Sequence, residues 1–172
     1  MHKVMKKYKQ LYLYHFTDTR NIEGIVELGG LYSFKRLDTS NIEDIFCGGN
    51  DWSHDADIMS GVDDYVHLCF TTNHPMEYLA RQEGRIQETF WIKVHRDVLR
   101  LKGVMFTNDV SNKAGVELLT NEEAVEELDH DAIFNFIDFD IPGNLRRKQA
   151  AEKYEILVPK HIPLEFLVNI NG

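Results

Sequence analysis

Leu11-Tyr12-Leu13-Tyr14-His15-Phe16 alternates two faces through a run of leucines and aromatics, the period-two pattern of a half-buried strand. Thr17 and Asp18 follow with side-chain oxygens that suit a helix N-cap. Ile22, Ile25, Val26 and the flanking Leu28 keep helical spacing, and Gly29-Gly30 supplies the stop. The first thirty residues therefore predict a strand, a short helix and a sharp turn. Further along, Tyr65-Val66-His67-Leu68-Cys69-Phe70 predicts a strand and Pro75 opens a helix carrying Met76, Leu79 and Ala80. Thr89–Val94 and Gly103–Phe106 predict two more strands. Tyr154–Val158, closed by Pro159, predicts another, and Pro163 to Ile170 a short helix leading into a last strand. Between Leu31 and Asp64 neither period persists, and the Gly48-Gly49-Asn50-Asp51 turn signal predicts a long functional or mobile loop. No stretch reads as a linker, so one α+β domain is expected over residues 1–172.

Composition narrows the function classes. The chain is 43% hydrophobic and 27% charged, an ordinary globular balance. Its formal net charge of −9, from 19 Lys+Arg and 28 Asp+Glu, disfavours a general nucleic-acid binder. A local basic groove stays compatible with it, because salt screens charge over roughly 8 Å. Cys47 and Cys69 stand apart without zinc-ligand spacing around them, which excludes a disulfide framework and fits a reducing compartment. Cys69, inside an apolar run, reads as a small buried hydrophobe. The basic N-terminus lacks an apolar stretch of signal length, and no run approaches the ~18 residues of a membrane span. A soluble, cytoplasmic protein without a membrane partner is expected.

Four segments carry unusual side chains. Glu155 sits inside a short apolar strand, facing away from Ile156 and Val158 on the side of Leu157, so it either points to solvent from an edge or is held for a reason. His15 raises the same question between Tyr14 and Phe16, as a satisfied core residue or a functional one. Glu122, Glu123, Glu126 and Glu127 give one helix an acidic surface, most simply a solvated one. Phe134, Phe136, Ile137, Phe139 and Ile141 form an apolar patch, followed by the basic run Arg146-Arg147-Lys148. There is no phosphate loop, no dinucleotide fingerprint, no nucleophile elbow and no HExxH pair. His67 and His74, seven apart across a strand end, make poor metal geometry, and no metal is expected.

Taken in order, several segments resemble the DarT family of NAD-dependent DNA ADP-ribosyltransferases. They are Leu13-Tyr14-His15-Phe16-Thr17 with Asn21 and Ile25; Gly29-Gly30-Leu31-Tyr32-Ser33; Asp64–Thr71 with His74-Pro75-Met76; Gly103–Phe106 with Asn112–Val116; and Glu155-Ile156-Leu157-Val158-Pro159. The resemblance spans nearly the whole chain. It implies the split, strand-rich ADP-ribosyltransferase fold, two small packed sheets flanked by short helices, with NAD consumed in a cleft between them and no metal. It implies Glu155 as the catalytic glutamate, and His15, Thr17, Asn21 and Tyr32 as NAD-binding residues. Met76 and Tyr78 would wall the nicotinamide pocket. The family places an arginine between the first motif and the second strand; Lys35, Arg36 and His54 are the cations in that interval, and Arg36 is taken for the part. Phe134 and Phe136 would stack on bases, and Arg146, Arg147 and Lys148 would meet phosphates; the alternative is a core-facing aromatic patch with a solvated basic turn.

The implied activity is transfer of ADP-ribose to a base in single-stranded DNA, by a toxin or phage-defence effector restrained by an antitoxin ADP-ribosylglycohydrolase. Two other readings keep the same fold. One changes the acceptor to RNA or a protein side chain, which the net charge favours slightly. The other is a catalytically silent nucleotide-binding module.

Overall fold

A computed structural model describes residues 1–39 and 51–170, without the side chains of 51–54. Cys47, Gly48-Gly49-Asn50 of the turn signal and the Asp51 and His54 side chains therefore lie outside the described residues. The strands are β1 (Tyr12–Asp18), β2 (Gly30–Tyr32), β3 (Tyr65–Cys69), β4 (Thr89–His95), β5 (Met105–Thr107), β6 (Glu155–Pro159) and β7 (His161–Pro163). The helices are α1 (His2–Lys7), α2 (Ile22–Glu27), α3 (Phe34–Thr39), α4 (Asp51–Ser60), α5 (Pro75–Gln82), α6 (Asn121–Glu127), α7 (His130–Phe134) and α8 (Asn144–Ala151).

The strands build a five-stranded antiparallel sheet in the order β4-β1-β3-β6-β5 and a two-stranded sheet of β2 and β7. One face of the larger sheet is apolar because the alternating residues Leu13, Val66, Leu68, Ile92, Val94, Phe106, Ile156 and Val158 all turn into the core. Fully burying a side chain of this size contributes about 1.5–3 kcal/mol, so this face fixes the register. The other face carries one cross-strand row, Tyr14↔Cys69↔Glu155↔Thr107. Strand β1 meets β4 along its whole length, Tyr12↔His95 to Asp18↔Thr89, but among the described residues it meets β3 only at Tyr14↔Cys69. The sheet thus has a seam between β1 and β3, beside the central row.

The turn into the smaller sheet depends on Gly30. Its φ of +147° is disfavoured for side-chain-bearing residues, and a Cβ there would lie 2.1 Å from the Ile162 carbonyl oxygen. Tyr32 then stacks on His161 across β2 and β7, with ring centroids 4.1 Å apart.

Two expectations are corrected. The interval from Leu31 to Asp64 holds β2, α3 and α4 among its described residues in place of one long loop; these elements are too short or too polar to show a period. After β6 the strand precedes the turn of helix: β7 pairs with β2, and a 3₁₀ turn at Leu164–Phe166 ends in Leu167, which forms only an isolated bridge to Val94. Pro163 fits the last position of that edge strand and the start of the turn.

Candidate active site

Strand β6 lies between β3 and β5, so Glu155 is interior to the sheet and 5% exposed; an edge-strand, solvent-facing glutamate is ruled out. A buried carboxylate is costly unless its oxygens are matched by donors. Here the donors come from separate parts of the chain. His67, two residues before Cys69 on the same face of β3, brings its Nδ1 to 3.2 Å from Glu155 Oε2. The Ser111 backbone N–H donates to the same oxygen at 3.2 Å, and the Ser111 hydroxyl lies 3.2 Å from His67 Nδ1. On the other side His74 Nε2 lies 3.4 Å from Glu155 Oε1.

His74 owes its orientation to helix capping. It is the N-cap of α5, and its Nδ1 accepts from the Met76 backbone N–H at 3.3 Å, with Pro75 in the first helical position. The proton of the neutral ring is therefore on Nε2, which faces Glu155, in a side chain only 1% exposed. Phe16 stacks against the same ring at 6.1 Å and meets Trp91 edge-on at 5.6 Å, closing the β1 side of the site.

Burial by itself would raise the Glu155 carboxyl; the His67 hydrogen bond and charge, then His74 and Ser111, outweigh it and hold the group below the usual carboxylate range. It is an anion at neutral pH. Burial works against a charged His67, but the Glu155 bond and charge, aided by Asp57 and the Val62 carbonyl, raise it. His74, more completely enclosed, is lowered by burial despite Glu155. Burial likewise lowers His15, whose Nδ1 donates to the His67 carbonyl at 2.9 Å across the β1/β3 seam. His15 is thus neutral, with Nε2 left as an acceptor. His67 links the two: its carbonyl accepts from His15 and its ring donates to Glu155. Cys69, beside them, is pushed up by burial and the Glu155 charge, so it stays a thiol.

A buried anionic carboxylate, held in fixed orientation by surrounding polar groups, can accept a hydrogen bond from a sugar hydroxyl and stabilise positive charge developing next to it. A family model described as ssDNA thymidine ADP-ribosyltransferase, DarT, matches residues 14–171. The chain belongs to the DarT family.

Solved structures agree at the level of fold. The DarT of Thermus sp. 2.9 in complex with ADP-ribosylated ssDNA is 19% identical with a TM-score of 0.66, covering 91% of this chain and 78% of that one. The same protein in complex with NAD+ gives 19% and 0.60, over 91% and 79%. Thermosipho africanus DarTG in complex with ADP-ribose gives 13% and 0.65, covering 91% of this chain and 42% of that one. No curated protein matches the sequence.

Among the residues singled out from the DarT resemblance, the fold brings His15, Thr17 and Asn21 together. Asn21 Nδ2 donates to the buried Thr17 hydroxyl at 2.9 Å, and His15 lies on the same strand. Met76 lies in the first turn of α5, where its backbone N–H donates to His74, while Tyr78 is 65% exposed. Tyr32 sits on the smaller sheet against His161. Arg36 is not brought to the carboxylate. It lies 3.4 Å from Asp64 Oδ1, at the opposite end of β3 from Cys69, about 17 Å away along the strand. Asp64 also accepts from Ser33, and Lys35 pairs with Asp63, so α3 is tied to that end.

The segment after α6 divides. Phe134 packs on Tyr8 at 5.1 Å and edge-on to Phe70 at 5.9 Å, joining the core, whereas Phe136 is 92% exposed. Arg147 forms a two-pronged contact with Asp129, at 2.7 and 3.0 Å, and Lys148 donates to the Ala132 carbonyl at 2.9 Å. Those two cations tie α8 to α7, while Arg146 stays exposed. The acidic surface of α6 is solvated as expected, with Ala124 and Leu128 buried behind it. Sequence reasoning missed His67, His74 and Ser111. The signal was present in the strand residue two places before Cys69 and in the capping His-Pro pair, but only the register puts both beside Glu155.

Proposed function

We propose that this chain transfers ADP-ribose from NAD to thymidine in single-stranded DNA, with Glu155 as the catalytic carboxylate. The observation that carries the reading is the buried, anionic Glu155 in the central sheet row of a chain belonging to a family with that activity. The solved relatives were captured with NAD+ and with ADP-ribosylated ssDNA, which supports both the donor and the product.

The residues present suit this donor. NAD supplies, when bound, a ribose carbon from which nicotinamide can depart. Departure leaves positive charge on the sugar, and a carboxylate bonded to the neighbouring hydroxyl stabilises that charge more in the transition state than in the ground state. Glu155 Oε1, approached among the described residues only by His74 at 3.4 Å, has lone pairs for that hydroxyl. His15, kept neutral, offers Nε2 as an acceptor across the seam. Thr17, Asn21, Tyr32, Met76 and Tyr78 are assigned to NAD, with Thr17 and Asn21 joined by a hydrogen bond. Arg36 is assigned to a more distant part of NAD, since its place at the Asp64 end of β3 keeps it away from the reacting carbon.

Exposed Phe136, with Arg146 on the next helix, is the DNA-facing pair: an aromatic face for stacking and a cation for phosphate. A role as toxin or phage-defence effector, restrained in the cytoplasm by a glycohydrolase that removes the mark, follows the same reading. Thermosipho DarTG supports it as a relative. Among the described residues no helix is long and apolar enough to cross a membrane.

The test is NAD consumption with short single-stranded oligonucleotides that do or do not contain thymidine. Consumption and a heavier oligonucleotide only with thymidine support the proposal; equal consumption without it, or modification of RNA or protein instead, redirects the enzyme to another acceptor.

A further inference from the structure

The two oxygens of Glu155 stand in unlike surroundings. Oε2 receives two donors, His67 Nδ1 at 3.2 Å and the Ser111 N–H at 3.2 Å, from strand β3 and from the loop after β5. Among the described residues Oε1 has only His74 Nε2, at 3.4 Å and without a well-formed hydrogen bond. A carboxylate shared evenly between donors would be free to rock about its terminal torsion, which is soft. One with a doubly bonded oxygen presents the other in a fixed direction.

We infer that His67 is a positioning residue for this reaction: with the Ser111 N–H it pins Oε2 of Glu155, leaving Oε1 as the oxygen that meets the substrate hydroxyl. The inference rests on the functional reading above and names the side chain through which the catalytic carboxylate is aimed. The ring is well placed for this. It is 30% exposed on the side chain, so it roofs the carboxylate without belonging to the core, and its own backbone carbonyl is tied to His15 Nδ1 at 2.9 Å. Movement of β3 relative to β1 would therefore disturb both His15 and Glu155. The charged and titratable groups around the ring are Glu155 on β6, Asp57 on α4, His15 on β1 and His74 at the start of α5.

Positioning predicts a defined pattern of variants. His67→Leu keeps the bulk and removes the donor. His67→Asn places an amide N–H where Nδ1 stood. With NAD and a thymidine-containing single-stranded oligonucleotide, His67→Leu lowers kcat about tenfold to a hundredfold, with KM for NAD within about twofold. His67→Asn recovers most of the loss. Unchanged kcat in His67→Leu, a loss confined to KM, or no recovery in His67→Asn would overturn the inference. Imidazole NMR titration of the protein without substrates provides a readout independent of turnover. Glu155→Gln is expected to lower the His67 midpoint, and an unmoved midpoint would remove the contact on which the inference stands. If wild type transfers nothing to any acceptor, the functional reading fails and positioning for transfer fails with it, while a shifted midpoint shows that the His67–Glu155 contact itself survives.

Discussion

The Glu155 row and the segment from Phe134 to Lys148 are built on opposite principles. Around Glu155, residues distant in sequence converge: His67, His74 and Ser111 each turn a polar atom toward one buried carboxylate. In the later segment, neighbours in sequence divide, with Phe134 joining the core, Phe136 standing 92% exposed, Arg147 and Lys148 bonded internally and Arg146 outside. The first arrangement is preorganised and suits chemistry, because its dipoles need no rearrangement as charge develops. The second exposes an aromatic and a cation on a framework locked from behind, which suits capture of a flexible strand. Under the proposed function, chemistry and acceptor capture are expected to separate by mutation.

The largest effect should come from Glu155→Gln, which keeps the shape and removes the charge. Transfer is expected to fall by at least about 10²–10³-fold while the folded structure is kept, measured by labelled product and circular dichroism. Wild-type turnover in this variant would dissolve the contrast by leaving the buried row without a chemical role.

Phe134→Ala sharpens the division inside the later segment. Removing a ring packed on Tyr8 and Phe70 should cost about 3 kcal/mol of stability, read by denaturant unfolding. Phe136→Ala should leave stability within about 0.5 kcal/mol and weaken binding of single-stranded DNA by about 1–3 kcal/mol. The reverse order would exchange their assignments. Arg146→Ala should give the smallest change: a drop of about one in the salt dependence of DNA binding, with stability unaltered.

Stability should also follow pH through the Glu155 pair. Glu155 is lowered in the folded chain, so its contribution is full above the ordinary carboxylate value of about 4.3 and is lost as pH falls through the folded value. His67 is raised, so its contribution is full below about 6.5 and is lost as pH rises through the folded value. Glu155→Gln should flatten both limbs in thermal melts taken across pH.

Much of the fold was legible. The alternation at Leu11–Phe16 became β1, the apolar run at Tyr65 became β3, and Pro75 began α5, because burial of one face imposes a period on the sequence. The side of β6 on which Glu155 lies was also readable, since alternation sets it against Ile156 and Val158. Its burial was not, because that depends on β6 being flanked by β3 and β5, a non-local fact. His67 and His74 looked like poor metal ligands for the same reason: seven positions apart in sequence, they meet only through a carboxylate more than eighty residues away from each. The short helices α3 and α4 escaped notice because polar sequences on few turns leave no apolar stripe. In the basic run the charge was visible in sequence, whereas the carboxylate and carbonyl that engage Arg147 and Lys148 were not.

The central claim, that a buried and pinned Glu155 transfers ADP-ribose to single-stranded DNA, is tested most directly with labelled NAD. Purified wild type and Glu155→Gln are incubated separately with single-stranded DNA, RNA and a protein extract. Label on DNA from wild type alone is the expected result; label on DNA from both proteins, or label on none of the acceptors, contradicts the account.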